Sequence, residues 1–95
     1  MAEQFDVRNN ESASRFETAV DGSTAFADYR REGNRITFTH TEVPEAIGGR
    51  GVANQLARGA LDFARREKLE VVPQCPFIAA FIRRNPEYSD LVKGP

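Results

Sequence analysis

The chain has one cysteine, one histidine and no tryptophan among its 95 residues. A single cysteine excludes an intramolecular disulfide. One Cys and one His cannot furnish a Cys/His zinc cluster, so no metal is expected. A lone thiol also fits a reducing compartment, which makes a cytoplasmic location the expectation. An excess of either charge is missing too: 13 Lys and Arg against 14 Asp and Glu leave a net charge of −1. The field that gathers nucleic acid is therefore absent overall. No apolar run approaches the roughly 20 residues that span a bilayer, so no membrane is expected. Met1–Asp6 has neither the basic flank nor the apolar core of a secretory signal. There are no repeats, low-complexity tracts or linkers. A chain of this length, 40% hydrophobic and 28% charged, is expected to fold as one ordinary globular domain over 1–95.

The first half reads as short strands broken by turn signals. Over 15–20, Phe16, Thr18 and Val20 alternate with Arg15 and Glu17, which predicts a half-buried strand. Asp21-Gly22-Ser23 is a hairpin signal, because Asp-Gly supplies the positive φ angles of such turns. The returning strand over 24–31 turns Ala25, Ala27 and Tyr29 to one face. Glu32-Gly33-Asn34 marks a second turn. A third strand over 35–43 is rich in β-branched residues. Residues 6–9 add a short edge strand, and 9–14 read as a polar loop.

No helical period precedes Gly51. After it, Val52, Leu56, Ala60 and Phe63 recur at helical spacing, with Asn54, Gln55, Arg58, Asp62, Arg65 and Arg66 on the solvated face. Gly59 inside this helix costs about 1 kcal/mol relative to alanine, and a close helix–sheet contact would explain it. A buried strand follows over 69–72, parallel to 35–43. A second helix runs from Pro76, a residue suited to the first helical position, to about Arg84. Pro86 disfavours helical geometry at Asn85 and stops it. The tail over 87–92 docks through Tyr88, Leu91 and Val92. The fold class is thus α/β: a mixed, mostly antiparallel sheet with one parallel βαβ pair and two helices.

The junction between strand and helix, Gly48-Gly49-Arg50-Gly51-Val52-Ala53-Asn54, carries the chemistry. Glycines let main-chain N–H groups approach a ligand. A helix N-terminus adds unpaired donors and partial positive charge, a natural seat for phosphate. The loop lacks the Lys-Ser/Thr ending of a P-loop. It is not Gly-x-Gly-x-x-Gly and follows a meander, which argues against a dinucleotide fold. By itself it is also consistent with an ordinary strand-to-helix turn.

Four elements in one order narrow this: Thr41–Pro44, Gly49–Ala53, Pro73–Cys75 and Asn85–Tyr88. Together they resemble the GNAT superfamily of N-acetyltransferases, in particular its miniature branch of small N-acetyltransferase domain-containing proteins. The resemblance covers roughly 16–92. It implies that the loop from Gly48 and Gly49 through Arg50, Gly51, Val52 and Ala53 cradles the pyrophosphate of coenzyme A, with Asn54 within reach. Thr41, Glu42 and Val43 would flank the pantetheine arm, which adds to the strand as an extra one. The superfamily pattern Gln/Arg-x-x-Gly-x-Gly/Ala sets Gly48 where a Gln or Arg usually stands, which removes a side chain and keeps the main-chain donors. A solvated surface arginine is the other reading of Arg50.

Cys75 and His40 are the catalytic candidates. Cys75 sits just before Pro76, and a helix N-terminus favours thiolate. It is a candidate nucleophile for the acyl group, or a small buried residue. An imidazole titrates near neutrality, which suits His40 to deprotonating an amine. The alternative is a packed strand residue on the face of Ile36 and Phe38. Glu42 is a weaker base on the face of His40. Tyr88 is a proton donor to the leaving thiolate, or an anchor for the tail. The implied activity is transfer of the acetyl group of acetyl-CoA to an amine. With no helices before Gly51 to shape the acceptor side, a protein lysine or N-terminus is admitted. A coenzyme A-binding module without catalysis and a ligand-free interaction domain are the competing classes.

Overall fold

The computed structural model describes residues 4–92; the outermost residues of the expected 1–95 unit lie outside them. Five strands form one sheet in sequence order: β1 (Arg8–Asn10), β2 (Arg15–Val20), β3 (Ser23–Glu32), β4 (Arg35–Glu42) and β5 (Glu70–Pro73). The first three junctions are antiparallel, and β4 and β5 run parallel. Helix α1 (Val52–Arg66) makes the crossover between them, and α2 (Pro76–Arg84) follows β5. This is the mixed sheet with a parallel βαβ pair that the periodicities predict. The β2–β3 turn holds Asp21 at φ 49° and Gly22 at φ 82°, the twist-matched geometry of a two-residue hairpin.

The alternation of β2 and β3 becomes burial. Phe16, Thr18, Val20, Ala25, Ala27 and Tyr29 are buried beneath α1. The Phe16 ring lies 5.3 Å from that of Phe63 on the helix. Helix α1 buries Val52, Leu56, Ala57, Ala60, Leu61 and Ala64, and the small alanines let it lie close to the sheet. Helix α2 packs beside it, with the Arg58 guanidinium 5.5 Å from the Phe81 ring. The opposite face of the sheet is laced by the pairs Arg8–Glu17, Arg15–Asp28 and Arg35–Glu70.

Two expectations shift. Gly59 is needed for a close approach, but not to a strand: a Cβ there would come within 2.9 Å of Val7, in the segment leading into β1. That segment is tied to α1 by the Phe5 N–H, which donates to Gln55 Oε1 at 2.8 Å. The polar stretch over 9–14 splits into the end of β1 and a short 3-10 turn, Glu11–Ala13.

Candidate functional site

Strict alternation sets His40 on the buried face of Ile36 and Phe38, and the structure corrects this. Tyr29 pairs with Phe38, and the next residue back, Asp28, pairs with His40. Two residues of β3 thus span three of β4, and Thr39 is the extra residue of a β-bulge. Beyond it the faces exchange. Phe38 is fully buried and His40 is exposed. The imidazole lies 6.4 Å from the Phe26 ring on the open face, with its Nε2 3.2 Å from Glu42 Oε1. Glu42 shares the face of His40, as its spacing predicts.

The same bulge turns Thr41 to the helix side, opposite the buried Ala27. Its Oγ1 lies 3.3 Å from Cys75 Sγ. Cys75 is buried at the N-cap of α2, 3% exposed, and no side chain caps that helix. Its N–H donates to the Phe38 carbonyl at 2.8 Å. This bond closes the parallel ladder, whose register ends at Phe38 opposite Pro73. Beyond it, Thr39–Glu42 run past the end of β5, and the two chains part at the bulge.

The glycine segment begins with a 3-10 turn, Glu45–Ile47, which the sequence did not disclose. Ile47 is buried and anchors the loop. Gly49 and Gly51 adopt φ 78° and 79°, a conformation that strains any side chain larger than hydrogen. Gly51 is the N-cap of α1 and brings no capping side chain. The first helical bond runs from Gln55 N–H to Gly51 O at 3.1 Å. The N–H groups of Val52, Ala53 and Asn54 precede that ladder. These three residues line a cleft of about 320 Å³ together with Val43, Ile47, Gly48, Gly49, Gly51 and Phe77. The cleft thus combines main-chain donors on one side with an apolar wall on the other, a pairing that suits an anion carried on a less polar arm. Phe77 escapes sequence reasoning because its spacing in α2 reads as core.

Arg50 sits between two cleft-lining residues but turns away from the cleft. Its Nη1 donates to Asp21 Oδ2 at 2.6 Å, and its guanidinium lies 5.7 Å from the Phe5 ring.

Tyr88 anchors the tail. Its hydroxyl donates to Asp62 Oδ1 at 2.6 Å and accepts from Arg58 Nη1 at 3.2 Å. Arg65 grips Asp90 with two bonds of 2.9 Å and donates to the Glu87 carbonyl. Asp62 and Arg65 are therefore a clamp on the 3-10 segment Pro86–Leu91 rather than idle helix surface. Burial first, then the bond to Asp62, pushes the Tyr88 phenol above its ordinary value. The fold thus prefers the neutral phenol. That stabilisation is whole below about pH 10, where an unfolded tyrosine titrates, and is lost as pH rises through the folded value. Tyr88→Phe is expected to cost about 1–3 kcal/mol by stranding Asp62. It is also expected to flatten the alkaline fall in thermal midpoint; an unchanged fall would assign it to another group.

Among the described residues no group of three or more Cys, His, Asp or Glu is arranged to hold a metal ion. No helix among them is long and apolar enough to cross a membrane.

Comparison with known proteins agrees with this architecture. The mouse and zebrafish proteins named Protein NATD1 are 36% and 35% identical over 83 residues, 84% of this chain and 76% of theirs. The bovine Protein NATD1 is 46% identical over 59 residues, 61% of this chain and 52% of its own length. The chain thus spans about half of that relative and about three quarters of the other two. The NMR solution structure of a GCN5-like proposed N-acetyltransferase from Staphylococcus aureus superposes with a TM-score of 0.72 at 26% identity. That superposition covers 95% of this chain and 89% of the other. The profile described as GCN5-related N-acetyl-transferase matches residues 15–91, and the chain belongs to that family.

Proposed function

We propose that the protein binds acetyl-CoA in the cleft between the end of β4 and the start of α1 and transfers the acetyl group to an amine. One observation carries this reading. The 15-residue helix α1 begins without a capping side chain, at a glycine held at positive φ, over an open cleft. Side-chain caps ordinarily stabilise a helix by about 1 kcal/mol, and a pyrophosphate would satisfy the same donors. Main-chain groups from Gly49 to Asn54 hold the phosphates in this reading, and Gly48 keeps the approach unobstructed. Thr41, Glu42 and Val43 flank the pantetheine arm along the unpaired edge of β4.

Cys75 is the proposed acyl carrier. Its Sγ forms a bond to the acyl carbonyl carbon, the bond from that carbon to the coenzyme A sulfur breaks, and coenzyme A leaves as the thiol with the proton given up by Cys75. The acceptor amine then bonds to the same carbon and Cys75 leaves. His40, held by Glu42 on the face of β4 opposite Thr41 and Cys75, takes the amine proton through water rather than by direct contact. The exposed surroundings of His40 suit an amine on a protein, a lysine or an N-terminus.

Titration of the protein with coenzyme A, followed residue by residue by NMR, tests the binding step. Shifts confined to 41–54 and Cys75 are expected. No response at millimolar ligand overturns the reading.

A further inference from the structure

Resting on that reading, we infer that Asp21 is a built-in competitor for the ligand's phosphate: it holds Arg50 out of the cleft until an anion draws it in. Arg50 lies between Gly49 and Gly51, both of which line the cleft, yet its guanidinium is bound to the Asp21 carboxylate on the β2–β3 turn. Its two neighbours are glycines at positive φ. Without Cβ atoms they let the intervening peptide reorient with little steric resistance. A Cβ at either glycine would meet nothing within 4 Å, so no neighbouring group packs against the loop at those two positions. The partner carboxylate is exposed, 74% at its side chain, whereas Arg50 is 32% exposed. An exposed ion pair is weak and screened by salt. A pyrophosphate diester carries one negative charge on each of its two phosphates, against one on the carboxylate, and offers a guanidinium the same bidentate geometry. An anion at the α1 N-terminus therefore outbids Asp21, and the exchange subtracts the cost of the original pair from the affinity.

The turn supplies a clean test. Asn-Gly is the favoured sequence for a hairpin of this geometry, so Asp21→Asn removes the charge and preserves the turn. Coenzyme A is expected to bind Asp21→Asn about two- to five-fold more tightly than the wild type at low salt. The gain should shrink at high salt and vanish in an Arg50→Gln background. Unchanged or weaker binding by Asp21→Asn overturns the competition and assigns the pair to holding the loop in place. Inorganic pyrophosphate, followed through the Arg50 side-chain N–H signal, separates this inference from the one beneath it. If coenzyme A binds neither chain, the acyl-CoA reading falls. Tighter pyrophosphate binding by Asp21→Asn still supports the competition in that case, and equal or absent binding removes it.

Discussion

Cys75→Ser is expected to lower acyl transfer by on the order of 10³-fold or more, the scale of losing a covalent nucleophile, with coenzyme A affinity unchanged. The fold should tolerate the change. Serine is nearly isosteric with cysteine and is among the favoured N-cap residues, and Cys75 occupies the N-cap of α2 without a capping bond of its own. The neighbouring Thr41 hydroxyl, 3.3 Å from Sγ, offers the new hydroxyl a partner and so avoids a stranded polar group. Mass spectrometry should detect an acyl adduct on the wild-type chain after mixing with acetyl-CoA and none on the variant. Full activity in the variant would remove the covalent route and leave direct attack by the amine.

Deletion of Thr39 should abolish the bulge while keeping the fold. Phe38 would still face Tyr29, and His40 would still face Asp28, now in an unbroken ladder. The bulge costs β4 regular pairing at one position, and its removal forfeits the 3.4 Å bond from Thr39 Oγ1 to the Asp28 carbonyl. The thermal midpoint should therefore move by only a few degrees, since about 1 kcal/mol corresponds to roughly 4–8 °C for a domain of this size. Coenzyme A affinity should fall at least about tenfold, or about 1.4 kcal/mol. A bulge bends its strand and increases the local twist, and here it lies where β4 and β5 part. Straightening β4 draws Thr39's successors back toward the chain before Cys75 and narrows the gap between them. Unaltered affinity in a folded deletion variant would show that the bulge does not shape the cleft.

These two sites differ in how far the sequence discloses them. Pro76 fixes the start of α2, and with it the N-cap position of Cys75, because proline tolerates the first helical position. Gly51 likewise marks the start of α1, and the switch from alternation to a helical period gives the order of elements. The bulge left no such mark. Alternation describes one strand, whereas a bulge is a mismatch between two, and Thr39 looks like any other β-branched strand residue. Strict alternation accordingly puts His40 on the wrong face. The partner of Arg50 was hidden for a related reason, since Asp21 is 29 positions away and already explained by its turn. Asp62 and Arg65 read as solvated until the chain folds the tail across them. Long-range polar pairs have no period to betray them. Phe77 has one, but its helical period fits the core and the cleft wall equally well.

The strand order leaves β5 as the last member of the sheet, and among the described residues nothing pairs with its outer side. Such an edge is a template on which a second chain can extend the sheet. Here the hazard is blunted in two ways. The strand is only four residues long, and it ends at Pro73, which has no N–H to donate. The Gln74 N–H is turned inward to the Val72 carbonyl at 3.1 Å, so the chain folds back on itself as soon as it clears the sheet. Pro73, two residues before Cys75, thereby also makes this edge a poor template for a second chain.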